Sequence, residues 1–316
     1  MKTVTMMTTA STAALIVGTG QSVFAQDGLL PAGYSLNVQG GYGVTDNALR
    51  DKIEGSSEGP EGDELTDKAG DDTSFRQISG SVSLTRQVTP QRDYTFGLSG
   101  SVTATDEVSS TQESGGDTEI IKNQNRLNIG ALDFEAGYTM PTGGVDIRGF
   151  AGVRALATST ENDKFGAFDS GGGFDEAASF NLSSSFAGIG PRVGIGLSTQ
   201  PTPVGNAGNF SFSGEVAASY LFGKRDDEFS VIVPFGGGDF EEQSEDVEVT
   251  TLELQLGVNY HLSPNAKVTV GYELMQLWNV DTYSDGDSTE FFLGPDDDDG
   301  DPRLVQGVFI GFTTNF

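Results

Sequence analysis

Residues 250–262 read "TTLELQLGVNYHL". Leu252, Leu254, Leu256, Val258, Tyr260 and Leu262 take every second place, and Glu253, Gln255, Gly257, Asn259 and His261 take the places between. Successive side chains of a strand point to opposite faces. Six apolar residues in strict alternation with polar or small ones therefore describe a strand lying between two different solvents. "NFSFSGEVAASYLF" (209–222) repeats the pattern, and "KVTVGYELMQLW" (267–278) repeats it more weakly.

Working outward from this segment, ten such stretches follow, near 33–44, 74–88, 93–105, 123–140, 144–160, 181–198, 209–223, 247–262, 266–280 and 303–316. Around Ala131 and Leu132 the apolar face changes parity, which predicts a β-bulge. The connections alternate in kind. "PQRD" (90–93), "PTGG" (141–144), "QPTPVGNAG" (200–208) and "SPNA" (263–266) are turn sequences, rich in the residues that adopt tight turns. The other connections, 45–73, 106–122, 161–180, 224–246 and 281–302, are long and hold 37 of the 46 acidic residues. Short turns at one end and long loops at the other are the layout of a transmembrane barrel.

Two β architectures alternate in this way. In a soluble sandwich or lipocalin-like barrel the apolar face meets itself in a core. Here the opposite face carries Gly, Ser, Thr and ionisable residues. Aromatic residues such as Tyr34, Tyr94, Tyr138, Phe210, Phe222, Tyr260 and Trp278 gather toward segment ends. That fits lipid outside, aromatic girdles at both interfaces and a polar interior. A closed barrel also pairs every backbone group without water, as a membrane requires. The expected fold is all-β: a transmembrane antiparallel up-and-down barrel of about ten strands, with eight or twelve as the neighbouring counts, short periplasmic turns and long acidic extracellular loops.

Composition agrees. The chain has 316 residues, no Cys and a formal charge of −29, which repels nucleic-acid phosphates. Without Cys there is neither a disulfide nor a thiolate metal site. Residues 1–25 read as a secretory signal: Lys2, then the apolar "ALIVG" (14–18), then "VFA" (23–25), with cleavage expected before Gln26. Removing Lys2, the one charge in that stretch, takes −29 to −30. Residues 26–316 form the expected barrel domain, destined for the outer membrane of a Gram-negative cell.

"FAGIGPRVGIGL" (186–197), followed by "NFSFSGEVAASYLFG" (209–223), resembles the Legionella-type major outer membrane protein family, whose members form pores. "LDFEAGYTMPTGGVDIRGFAGVRALA" (132–157) is similar to that family's D-x-E-A-G-Y…G-x-R hairpin, and "LELQLGVNYHLSPNAKVTVGYELMQLWN" (252–279) to its late hairpin. The likeness covers most of 123–316. Near the last strand the family's G-P-x-x-G-L is replaced by "GPDDDDGDPRLVQGVFIGF" (294–312), with an acidic insert. The resemblance implies an outer-membrane pore.

On the inward faces, parity places Asp133, Glu135, Asp146, Arg148, Arg154, Arg192, Glu215, Glu253 and Glu273. Charges inside a barrel must be paired or hydrated. They predict either a salt-bridge network that fixes register and fills a narrow lumen, or a constriction that selects ions. Ten strands give a modest bore. Catalysis is not expected: the one histidine, His261, sits beside the "SPNA" turn, away from the extracellular rim, and no nucleophile or metal motif surrounds it. The run Asp296, Asp297, Asp298, Asp299 and Asp301 matches no EF-hand pattern. It predicts diffuse cation enrichment, with at most loosely bound Ca²⁺ or Mg²⁺ and no cofactor.

The expected function is a small, cation-preferring pore. The competing expectation is a plugged barrel whose acidic loops bind a partner or divalent cations. Expected partners are outer-membrane lipid and lipopolysaccharide, small ions or solutes, and the barrel-assembly machinery, which would read Phe316 at the end of "GVFIGFTTNF" (307–316) as its signal.

Overall fold

The computed structural model describes residues 33–45, 75–103, 107–114, 117–169, 174–205, 208–233, 237–280 and 303–316. The expected export signal and the aspartates from Asp296 to Asp301 lie outside these residues.

Among the described residues, twelve strands follow in chain order: β1 (Tyr34–Thr45), β2 (Phe75–Thr89), β3 (Arg92–Thr103), β4 (Glu107–Ser114), β5 (Asp117–Thr142), β6 (Val145–Asp169), β7 (Phe174–Thr199), β8 (Thr202–Pro203), β9 (Asn209–Val233), β10 (Gly237–Ser263), β11 (Ala266–Trp278) and β12 (Arg303–Asn315). Ten of them form a closed antiparallel ring, in the order β1-β2-β3-β5-β6-β7-β9-β10-β11-β12, with β12 pairing back onto β1. Strand β4 pairs only with the far end of β5, and β8 is a two-residue pairing in a turn. The ring closes through Ser35↔Asn315 to Thr45↔Val305, and Phe316 N–H donates to the Tyr34 carbonyl at 2.8 Å. No edge strand is left in the ring, so the backbone pairs internally.

The alternation read from the sequence sets the two surfaces. Leu252, Leu256, Val258, Tyr260 and Leu262 point out and are exposed, while Asn259 and Thr251 point in and are buried. Ile78, Phe96, Phe134, Ile189, Phe212 and Val308 are exposed in the same way. An apolar band of this extent is unfavourable in water and favourable in hydrocarbon. Outward aromatics mark its two edges: Tyr34, Tyr94, Tyr138, Phe210 and Tyr260 near the short turns, Tyr220, Phe222 and Trp278 at the far end. Beyond the far edge the outward face of β9 turns charged at Lys224, Asp226 and Glu228, all exposed. With an even strand number the short-turn end is periplasmic.

Two expectations change. The bulge at Ala131 and Leu132 is absent: β5 pairs without a shift from Gly130↔Gly100 to Leu132↔Leu98, and likewise along β6. The parity of the apolar residues changes because Leu127 and Ile129 point into the lumen and are buried there. The stretches 106–122, 161–180 and 224–246 are largely extended strand rather than loop. The β9–β10 hairpin, for example, stays in register from His261↔Asn209 out to Gly237↔Val233. These outer halves have no lipid face, so hydrophobic alternation does not reveal them.

Candidate functional site

The lumen is layered. Along β9 the inward residues run, from the periplasmic end, Ser211, Ser213, Glu215, Ala217, Ser219, Leu221, Gly223, Arg225 and Asp227. Neighbouring strands repeat this order of polar, charged, apolar and charged levels.

The central level is ionic. Arg154, whose side chain is 2% exposed, grips Asp133 in a bidentate pair, Nε to Oδ1 at 2.7 Å and Nη2 to Oδ2 at 2.8 Å. It also donates to Glu253, with Nη2 at 3.2 Å from Oε2 and Nη1 on Oε1. Arg192, also buried, donates from Nε to Glu135 at 2.9 Å and from Nη1 to Glu253 at 2.8 Å. Its Nη2 lies 3.7 Å from Glu215. Arg148 holds Asp93, with Nη2 2.6 Å from Oδ1, and lies 3.5 Å from Glu135. Phe150 sits between Arg148 and Arg192, whose guanidinium carbons are 4.9 and 5.7 Å from its ring centre. Its ring occupies the space where a side chain on Gly194 would stand. Cations over a ring face gain from its quadrupole.

The expected set is thus mostly one cluster. Asp133, Glu135, Arg148, Arg154, Arg192, Glu215 and Glu253 meet in it. Glu273 stands apart on β11, accepting from Ser79 Oγ of β2 at 2.7 Å. Asp146 lies one inward position nearer the turn than Arg148, and takes no ion pair among the described residues. Sequence reading missed Asp93, which it assigned to a turn, and Phe150, an aromatic at an inward position. Three arginines face five carboxylates, so the layer is negative overall. Desolvating so many charges is costly, and the cluster persists because each guanidinium has carboxylate partners.

The other side of the lumen, between β10 and β2, has no arginine at this level among the described residues. Gln255 Nε2 donates to Gln39 Oε1 at 3.3 Å, and Ser81 Oγ donates to the same atom at 3.0 Å. Nearer the periplasm, Thr269 donates to Asn259 at 2.7 Å, and Asn259 donates to Ser211 and Ser213, each at 3.2 Å. Ser211 Oγ also lies 2.8 Å from His261 Nε2. Phe309 of β12, 4% exposed, blocks this side; its ring lies over Gly271, where a Cβ would overlap it.

Above the ionic level lies an apolar septum. Leu127, Ile129, Ala131, Leu156, Phe186, Leu221, Val249, Leu277 and Val280 form one buried cluster, with Val247, Met275 and Val305 packed against it. Leu221, Val249 and Leu277 are 0% exposed. The septum draws on β5, β6, β7, β9, β10, β11 and β12, and on most of them it is one or two inward residues deep. Above it Arg225 pairs with Asp227 at 3.0 Å and with Glu245. An apolar cluster drawn from seven strands is thus held inside the barrel between the central ionic level and an ion cluster on the β9–β10 hairpin.

The family model described as "Legionella pneumophila major outer membrane protein precursor" matches residues 81–314. No curated protein matches the sequence. Among solved structures the chain is similar to the outer membrane protease OmpT from Escherichia coli, at 12% identity and a TM-score of 0.41, covering 90% of this chain and 96% of that one. It is similar to Neisserial surface protein A at 10% identity and a TM-score of 0.30, covering 90% and 98%. The CymD monoaromatic hydrocarbon channel aligns at 10% identity and a TM-score of 0.29, covering 91% of this chain and 89% of that one.

Proposed function

The chain belongs to the family of the Legionella pneumophila major outer membrane protein, β-barrels of the outer membrane, and from that premise we propose that it is a narrow, cation-preferring pore that is closed in this conformation. The observation that carries the reading is the septum: a thin apolar layer, largely one or two side chains deep, stacked on a charged layer in the bore of a ten-stranded barrel. Hydrophobic constrictions of this kind close a pore by excluding water rather than by filling it. The charges beneath supply the preference. Five carboxylates against three guanidiniums, with Glu273 besides, favour cations.

Opening is easiest on the side between β10 and β2. Among the described residues, only neutral groups and Glu273 link the strands there, through Gln39–Gln255 and Ser79–Glu273, whereas three arginines lock the other side. Potassium efflux from proteoliposomes tests this reading. Efflux above that of protein-free vesicles, with a trisaccharide retained, supports it; no efflux at any applied potential contradicts it.

A second reading has its own observation. The β9–β10 hairpin continues past the outer girdle, and its outward face bears Asp226, Glu228, Glu242, Asp246 and Glu248. Such a surface suits a cationic partner or divalent cations, and it would serve a barrel that never conducts. Loss of cell-surface binding on trimming the hairpin, together with silence in the efflux assay, would favour this second reading.

A further inference from the structure

The two outward-facing ends of the barrel differ in charge. At the extracellular end the outward face carries many acids. At the periplasmic end, among the described residues, Arg86 of β2 and Arg92 of β3 are its only charged side chains. Both are exposed, and neither has a carboxylate partner among the described residues. Asp93, the acid next in sequence, points inward and is taken by Arg148. In a chain of charge −29, two free guanidiniums side by side need a reason.

Their surroundings supply one. Arg86 lies opposite Tyr94 across β2–β3, and Arg92 is two residues further along β3, so the two arginines are diagonal neighbours on one face. Such diagonal positions are roughly 7–8 Å apart, within reach of one shared group. Arg86 also lies 5.8 Å from the ring centre of Tyr34. Arg92 pairs across to Tyr138 of β5. From Arg92 a groove of about 440 Å³ runs up the wall, between Tyr94 and Tyr138 and over Ala136, Gly149 and Ala151. A side chain at Gly149 would meet nothing within 4 Å. Tyr94 is braced by Phe134, stacked at 6.3 Å.

We infer that this is a binding site for one phospholipid of the periplasmic leaflet with a net negative headgroup, its phosphate held by Arg86 and Arg92 and one acyl chain lying in the groove between Tyr94 and Tyr138. The chemistry matches at both ends. Guanidiniums are planar forks suited to phosphate oxygens, and the groove is aromatic and small-residue surface at the depth of an acyl chain. The inference rests on the barrel's orientation and not on conduction.

The test is native mass spectrometry of the full chain, released from lipid nanodiscs of mixed phosphatidylglycerol and phosphatidylethanolamine. The expected result is one retained phosphatidylglycerol per barrel. R86Q/R92Q should lower retention by about tenfold. G149F, which leaves both charges in place, should lower it as well by filling the groove, and R76Q at the other end should change nothing. Heat-dependent gel mobility confirms that each variant is folded. Equal retention by R86Q/R92Q and the unmodified chain overturns the inference. So does loss in R86Q/R92Q with full retention in G149F, which would mean that the arginines hold a headgroup phosphate while the groove holds no acyl chain.

Discussion

Arg192 and Glu253 meet inside the lumen, Nη1 to Oε2 at 2.8 Å, although β9 stands between their strands. Glu253 also receives Arg154 from β6. One carboxylate of β10 thus ties two arginines from strands two and three places away in the ring, and the barrel is held by links through its interior as well as around its circumference.

Glu253→Gln should therefore destabilise the barrel strongly. The change takes a carboxylate partner from two buried guanidiniums at once, and breaking a buried pair costs about 3–5 kcal/mol. The heat-modified gel shift of the folded barrel should move to lower temperature. Glu161→Gln removes the partner of Arg126, in a pair half exposed on the outer face. Exposed pairs contribute roughly 0–1 kcal/mol, so this variant should behave like the unmodified chain.

Leu277→Ser or Leu221→Asn places a polar group among the buried apolar residues of the septum. Each should admit water and raise ion leak, about tenfold for every ~1.4 kcal/mol taken off the barrier. Truncating a fully buried leucine also costs stability, about 2–5 kcal/mol, so folded material must be selected first. Leak equal to that of the unmodified chain in folded variants would show that the septum is not what closes the bore.

Selectivity should reside in the carboxylates that are least tied to arginine. Glu215 is 3.7 Å from Arg192, and Glu273 is held by a serine. Glu215→Gln with Glu273→Gln should reduce cation preference while leaving the arginine lock in place. Measured in a KCl gradient, the reversal potential should shift toward zero. An unchanged potential would place selectivity in the outer hairpins.

Shortening the β9–β10 hairpin beyond the girdle removes Asp226, Glu228, Glu242 and Asp246 and leaves the lumen below untouched. Efflux through the barrel should persist, with a weaker dependence of cation flux on ionic strength, because the lost charges act through solvent within a Debye length.

The barrel wall was legible in the sequence because period 2 is strong wherever one face meets lipid. Leu252 to Leu262 declare it at once. The ten segments all became ring strands, and the inward ions were placed by parity alone. What parity hid was depth. Leu127, Ile129, Leu221, Val249 and Leu277 are apolar at inward positions, and a lipid-facing residue has the same chemistry. The apparent parity change at Ala131 and Leu132 was the visible trace of the septum, and it read as a bulge because an apolar layer inside a membrane barrel is not what alternation expects. Phe150 and Phe309 carried a fainter signal. Each is an aromatic at an inward position, and each packs where glycine on a neighbouring strand leaves room, Gly194 and Gly271. Asp93 was missed because a turn and a strand end share its sequence.

The most direct test of the central claim is single-channel recording of the unmodified chain and Phe309→Ala in a KCl gradient. Phe309 caps the side of the bore that the arginines do not lock. The account predicts brief, small openings of the unmodified chain with a cation-selective reversal potential, and longer or larger openings of Phe309→Ala with the same sign. Silence of both proteins at every potential, or an anion-selective reversal potential, would contradict it.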